Sequence, residues 1–212
     1  MKLHHFFRSG TSHRLRIALN LKGLSPQYVA VHLGRNEHLA PAFKALNPQG
    51  LVPALEVEGR VLIQSPAIIE WLEEKFPKPA LLPQDVDDRA RVRALAAIVG
   101  CDIHPINNKR VLDYLRNNFN CDTPAVKAWA GEWIHAGFAA YEALLASDTA
   151  RGAFSFGNSP TLADAYLVAQ VESSRRFDVD LSHYPLIRAI DQACAGLEPF
   201  ARAHPSQQAD AA

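Results

Sequence analysis

The stretch Arg-Ser-Gly-Thr-Ser-His-Arg-Leu-Arg-Ile-Ala-Leu, residues 8–19, decides the fold. It follows a short apolar run, Leu3 to Phe7, that reads as a strand. It opens an amphipathic helix over Ser12–Lys22 with Leu15, Ala18 and Leu19 on one face, and Gly23 takes the left-handed position that ends it. The hydroxyls of Ser9, Thr11 and Ser12 therefore stand where a strand becomes a helix N-terminus. Unpaired backbone N–H groups and the positive end of the helix dipole converge there, which suits an anion. A thiolate is such an anion. The three cysteines are Cys101, Cys121 and Cys194, none near this turn, so a sulfur acted on here has to arrive on a bound thiol.

Working outward, Tyr28–His32 reads as a second strand, and Ala54–Val57 and Val61–Ile63 as a hairpin turning at Glu58-Gly59-Arg60. Ser65-Pro66 restarts a helix, with Ser65 as N-cap and Ile68, Ile69, Leu72 and Phe76 as its buried stripe. Three prolines within Pro77–Pro83 break the pattern and form a stiff linker. Beyond it only helical periodicity is present: Asp87–Cys101, Asn107–Asn118, Thr123–Leu145, Thr161–Ser174 and Tyr184–Gly196. Thr161-Leu-Ala-Asp164 resembles a capping box, and the polar tail His204–Ala212 reads as frayed. The predicted architecture is an α/β thioredoxin-like domain over 1–78, a linker over 79–86 and an all-helical domain over 87–212.

Lysine plus arginine equals aspartate plus glutamate at 22 each, so no overall field recruits nucleic acid or an acidic membrane. Single and paired basic residues, among them Arg8, Arg14 and Arg16, read by default as solvated helix faces. Three scattered cysteines without a Cys-x-x-Cys point to a reducing, cytoplasmic setting and away from structural zinc. His4 and His5 alternate across a strand, while His135, His183 and His204 lack neighbours at ligand spacing, so no metal is expected. The N-terminus has no secretory h-region, and the apolar run at Ala94–Val99 falls far short of a bilayer span.

Several motifs in fixed order resemble one family nearly end to end. Phe7-Arg8-Ser9 leads into Arg14-Leu15-Arg16-Ile17-Ala18-Leu19, followed by Ala45-Leu46-Asn47-Pro48, Val52-Pro53 and Gln64-Ser65. Leu81-Leu82-Pro83-Gln84-Asp85, Arg176-Phe177-x-Val179-Asp180-Leu181 and Tyr184-Pro185 complete the series. The chain resembles the zeta-class glutathione transferases, the group that includes maleylacetoacetate and maleylpyruvate isomerases. That family's first-turn motif usually reads Ser-Ser-Cys-x-Trp-Arg; here it is Ser9-Gly10-Thr11-Ser12-His13-Arg14, so either Ser9 or Thr11 is the sulfur's partner.

The resemblance implies glutathione as cofactor, a small dicarboxylate as substrate and a homodimer as the assembly. It implies that Ser9, Gly10 and Thr11 bind the cysteinyl end, that Val52 pairs its backbone with it, and that Pro53 is cis. Gln64 and Ser65 would hold the γ-glutamyl end at a second helix N-terminus. His38 corresponds to the residue for the glycyl carboxylate. Asp102, His104 and Asn108 belong to a segment that touches glutathione and the acceptor, with His104 standing where the family usually carries Gln. Arg176 matches a family arginine that recognises a substrate carboxylate. Arg110 departs from the family, which commonly carries small neutral residues there, and with Arg8 it is a further candidate cation for the carboxylates, since guanidinium groups suit them. Arg8 and Arg176, with Ser9 and Thr11, form the expected catalytic set.

The implied reaction is glutathione-dependent cis–trans isomerisation of maleylpyruvate to fumarylpyruvate. The alternatives are maleylacetoacetate as substrate, conjugation of glutathione to small halogenated acids, and a non-catalytic binding module. Ionising a thiol of ordinary pKa at neutral pH takes a fall of about two units, roughly 2.7 kcal/mol of anion stabilisation. One hydroxyl supplies about half of that and a helix N-terminus up to about 1 kcal/mol, so Ser9, Thr11 and the first-turn N–H groups together are about sufficient.

Overall fold

The computed structural model describes residues 1–148 and 151–211. The chain divides into two compact units, one from Met1 to Leu81 joined by the chain from Ala195 onward, the other Leu82–Cys194. The helical domain expected over 87–212 therefore does not keep its last segment, which packs into the first unit.

In the first unit, β1 (Lys2–His5), α1 (Gly10–Leu21), β2 (Gln27–Ala30), α2 (Pro41–Leu46), β3 (Ala54–Val57), β4 (Arg60–Ile63) and α3 (Ser65–Lys75) follow in order. The sheet runs β2-β1-β3-β4, with β1 parallel to β2 and antiparallel to β3, and β3 antiparallel to β4. This is the thioredoxin-like order. The β3–β4 turn places Glu58 and Gly59 at φ 50° and 74°, a left-handed pair that matches the twist of a two-residue hairpin. Leu3, Leu15, Ile17, Leu19, Leu55, Ile68 and Leu72 are fully buried and make the core.

The expected strands are shifted by one or two residues at their ends, the ordinary uncertainty of a terminus. Helix α2 has no counterpart in the sequence reading, because six residues are too few to show periodicity. Near the linker, Lys22 pairs with Glu73 at 2.5 Å and donates to the Phe76 and Pro79 carbonyls at 2.7 Å each. Glu73 also accepts from the Leu81 N–H at 2.9 Å. The proline segment is thus tied to α1 and α3 through a buried ion pair.

In the C-terminal segment of this unit, Glu198–Ala203 is a short helix against α1, followed by turns at Pro205–Gln207 and Ala209–Ala211. The expectation of a frayed tail is corrected here, because Asp210 accepts a hydrogen bond from Phe7 of the first turn. Ala212 lies outside the described residues.

The second unit is helical: α4 (Val86–Ala97), α5 (Lys109–Phe119), α6 (Thr123–Ser147), α7 (Leu162–Arg175) and α8 (Pro185–Ala195). Side chains cap three of them, Asp85 on α4, Asn108 on α5 and Asp122 on α6. The Thr161–Asp164 capping box is present on α7. Asp164 is fully buried and also accepts from the Ser155 N–H at 2.8 Å. Helix α4 runs into a π turn, Ile98–Ile103. No described helix is long and apolar enough to cross a membrane.

Candidate functional site

The turn joining β1 to α1 is a hydrogen-bonded set. The Ser9 N–H closes it on the Phe6 carbonyl at 3.0 Å, and the Ser9 hydroxyl caps α1 by accepting from the Ser12 N–H at 3.2 Å. The Thr11 hydroxyl donates to the Val52 carbonyl at 2.9 Å. A carbonyl only accepts, so Thr11's single proton is engaged there. In the 2.8 Å contact between the two hydroxyls, Ser9 is therefore the donor. The first turn of α1 carries no acidic side chain, so nothing on its own helix competes for the positive end of the dipole. Arg8 is exposed directly before Ser9.

The other first-unit candidates gather on the loop that delivers Val52. Its peptide bond to Pro53 is cis. Asn47 shapes the loop, donating to the Leu51 carbonyl at 2.7 Å and accepting from the Gln49 N–H at 3.1 Å. Gly50 sits at φ 62° with its Cα face against the His38 carbonyl, where an added Cβ would stand 2.9 Å away. His38 itself is only 9% exposed, so it is not a plain surface histidine. Gln64 reaches the same loop through a 2.6 Å bond from its amide to the Gln49 side chain.

Gln64, not Ser65, is the N-cap of α3; it stands at φ 67° and makes no side-chain cap bond. Ser65 is the first helical residue, buried, and its hydroxyl has no hydrogen-bond partner. That atom fits a ligand's polar group at the helix N-terminus, which is the place expected for the γ-glutamyl end of glutathione.

In the second unit, Asp102 is exposed within the π turn, and the His104 N–H closes that turn on the Val99 carbonyl at 3.0 Å. Such turns recur at functional sites because they displace side chains from helical register. Asn108 caps α5, accepting from the Arg110 N–H at 3.2 Å, and Arg110 is exposed beside it. Arg176 follows α7, exposed, and donates to the Ser173 hydroxyl at 2.9 Å. Its neighbour Arg175 is bound to Glu172 at 2.8 Å and Asp191 at 2.5 Å. Among the described residues, no three His, Cys, Asp or Glu side chains group to hold a metal.

Sequence reasoning missed Arg16. Arg14 and Arg16 are 2% and 0% exposed, not solvated. The Arg16 guanidinium donates to the carbonyls of Ala203 and Phe7 at 3.0 Å and of Phe6 at 3.5 Å. Burial, partly offset by Tyr28 and Asp210, pushes its pKa down to about 10, so it stays charged at neutral pH. A signal was available: no Asp or Glu occurs anywhere from Met1 to Asn36, so these cations have no local carboxylate to meet.

Residues 8–75 match the family described as glutathione S-transferase, N-terminal domain. Maleylpyruvate isomerase of a Ralstonia species is 69% identical over 212 residues, the whole of both chains. Maleylacetoacetate isomerase of Pseudomonas aeruginosa is 50% identical over 99% of this chain and 98% of its own. Among solved structures, a holo maleylpyruvate isomerase, a bacterial glutathione S-transferase of the zeta class, matches with a TM-score of 0.99 at 69% identity, covering 100% of both chains. A maleylacetoacetate isomerase from Methylobacterium extorquens AM1, solved with malonate and glutathione bound, matches with a TM-score of 0.96 at 35% identity over 100% of both.

Proposed function

The chain belongs to the zeta class of the glutathione transferase family, and on that premise we propose that it is a glutathione-dependent isomerase converting maleylpyruvate to fumarylpyruvate. Glutathione supplies, when bound, a thiolate that adds reversibly to the substrate's double bond and leaves it free to rotate. The protein's own residues ionise that sulfur, hold the acidic ends of the substrate and stabilise the charge that develops.

The single observation that supports this reading is the pair of hydrogen bonds at the head of α1, Thr11 to the Val52 carbonyl at 2.9 Å and Ser9 with Thr11 at 2.8 Å, from which the two proton directions follow. Thr11 cannot turn its proton toward a sulfur without releasing the Val52 carbonyl. Ser9 can, because its proton goes only to a neighbouring hydroxyl, and the exchange replaces a neutral acceptor with an anionic one. Ser9 is thus the thiolate's donor, and Thr11 holds Val52 for the cysteinyl backbone. Gln64 and Ser65 take the γ-glutamyl end, His38 the glycyl end, and Asp102, His104 and Asn108 complete the contacts. Arg8, Arg110 and Arg176 bind the two carboxylates and the developing oxyanion. No side chain acts as a strong base.

Maleylpyruvate is one methylene shorter than maleylacetoacetate, and the additional cation at Arg110 suits the more compact dianion. The enzyme works as a homodimer in the cytoplasm; three free cysteines fit a reducing compartment. The test is direct: protein, glutathione and maleylpyruvate are mixed and fumarylpyruvate is followed, with maleylacetoacetate turned over in parallel. Faster turnover of maleylacetoacetate reverses the substrate assignment, and equal rates without glutathione overturn the chemistry.

A further inference from the structure

Arg8 and Ser9 are carried on a backbone turn that the rest of the first unit grips at Phe6 and Phe7. From the interior, the buried Arg16 guanidinium binds the Phe6 and Phe7 carbonyls and, on its other edge, Ala203 at the end of the last helix. From the C-terminal tail, Asp210 Oδ2 accepts the Phe7 N–H at 2.9 Å. Phe7 is held at both its N–H and its carbonyl, one residue before Arg8 and two before Ser9. Both bonds are charge-assisted, the strong kind.

The tail beyond Pro205 borders a cavity of about 570 Å³ lined by His5, Asn20, Tyr28, Gln207 and Asp210. Hydrogen bonds hold the tail: besides Asp210 on Phe7, the Gln208 amide donates to the Arg202 and His204 carbonyls at 2.8 and 3.0 Å. Arg16 and His5 feel the Asp210 charge, and Tyr28 and Arg202 line the same cavity. His5 Nε2 lies 3.8 Å from Asp210 Oδ1. Burial first, and Arg16 second, hold His5 down at about 4, so it stays neutral through the pH range in which a thiol ionises.

We propose that Arg16 and Asp210 are positioning residues that jointly fix the Phe6–Phe7 backbone and so aim the Ser9 hydroxyl and Arg8 guanidinium, making the C-terminal tail part of the sulfur-ionising machinery. The inference rests on the reading of Ser9 as the thiolate's donor. Loss of the Asp210 grip lets the turn shift, and a donor displaced by a fraction of an ångström stabilises the anion less. The cofactor's thiol pKa then rises while its other anchors, on the loop at Val52 and at Ser65, are untouched.

The experiment compares the full-length wild type with Asp210→Ala and Asp210→Asn. Glutathione binding is measured by calorimetry, turnover by steady-state kinetics, and the acid limb of kcat against pH reports the bound thiol. Asp210→Ala is expected to lower kcat about tenfold, to move the acid limb upward by about half a pH unit or more, and to leave glutathione affinity within about threefold. Asp210→Asn retains an acceptor oxygen and recovers more than half of the loss. An unmoved acid limb in Asp210→Ala overturns the proposal, whether or not thermal stability falls, because a merely structural tail lowers Tm without altering thiol ionisation. Should Asp210→Ala fail to fold, Arg16→Lys, which gives up the forked hold on the Phe6 and Phe7 carbonyls, decides in the same way, a wild-type position of its acid limb being the negative result. Wild-type protein that binds no glutathione overturns the functional reading itself; binding with an unmoved limb overturns this inference alone.

Discussion

Two helices of the first unit begin where a ligand's charge can be held, and they are built in opposite ways. At the head of α1 every hydroxyl is satisfied: Ser9 caps the helix and donates to Thr11, and Thr11 donates to Val52. At the head of α3 Gln64 occupies a left-handed conformation without a cap bond, and the buried Ser65 hydroxyl has no partner. A buried unsatisfied hydroxyl costs about 1–3 kcal/mol, and a non-glycine residue at such a backbone angle a similar amount. The first site's backbone and hydroxyl positions are set before the cofactor arrives, and on the proposed reading only the Ser9 proton turns, from Thr11 to the sulfur. The second carries a deficit that, on the proposed placement of the γ-glutamyl end, the cofactor would remove, so that a cost of folding would become affinity.

Ser9→Ala breaks the comparison hardest. It removes the donor proposed for the sulfur, and kcat is expected to fall by about 10²–10³, as for loss of one oxyanion donor. It also removes the α1 cap, so the cofactor-free protein loses about 1 kcal/mol of stability. Steady-state kinetics and urea unfolding report the two effects separately. A larger kcat loss in a Thr11 variant than in Ser9→Ala would reverse the assignment of donor and holder.

Acid separates the two helix starts by another route. Helix α1 hangs from β1, which ends at His5, whereas α3 follows β4, which carries no histidine. Desolvation, then Arg16, depress His5 from 6.5 to about 4, with Asp210 opposing. Because the folded pKa is the lower one, the unfolded chain takes up the proton first. Stability from this group is whole above pH 6.5 and is lost as pH falls toward 4. Between pH 7 and 5 the loss is about 2 kcal/mol, read by urea unfolding at the two values. His5→Gln flattens that part of the curve; an unchanged slope would mean that another group titrates.

The contrast between the two helix starts explains what was legible in the sequence. Ser9, Thr11 and the α1 helix could be read from residues 3–23, because strand, turn and amphipathic helix are all local patterns. The hairpin at Glu58-Gly59 and the capping box at Thr161 were readable for the same reason. Ser65 looked like a cap because serine before proline ordinarily is one; only the backbone of Gln64 displaces it by one position, and no local propensity reports that. Arg16 and Asp210 stand 194 residues apart, and their shared hold on Phe7 depends on the tail's return to the first unit. The sequence did carry a trace of it, in an arginine-rich helix with no acidic neighbour.

Ser65→Ala sharpens the comparison by its sign. It should raise KM for glutathione about tenfold, the value of one hydrogen bond to a charged group, while kcat at saturation stays near wild type. The cofactor-free protein should be as stable as wild type or more so by up to about 1 kcal/mol, since the lost hydroxyl had no partner. Thermal unfolding with and without glutathione tests this directly. A destabilised apo protein with unchanged KM would show the hydroxyl to be structural.

Thr11→Val produces the smallest change, because two of its effects oppose each other. The substitution keeps the branched shape at the head of α1 and removes the donor to the Val52 carbonyl, worth about 1 kcal/mol. Asn47 still holds the loop at Leu51, so Val52 loosens without leaving its place. KM for glutathione should therefore rise only about threefold to fivefold. Valine also deprives the Ser9 proton of its competing acceptor, so that proton turns to the sulfur unopposed. Thiol ionisation should hold steady or improve slightly, and kcat should stay within about threefold of wild type. If Thr11 were itself the sulfur's donor, this variant would match Ser9→Ala in kcat, and the two profiles measured side by side distinguish the cases.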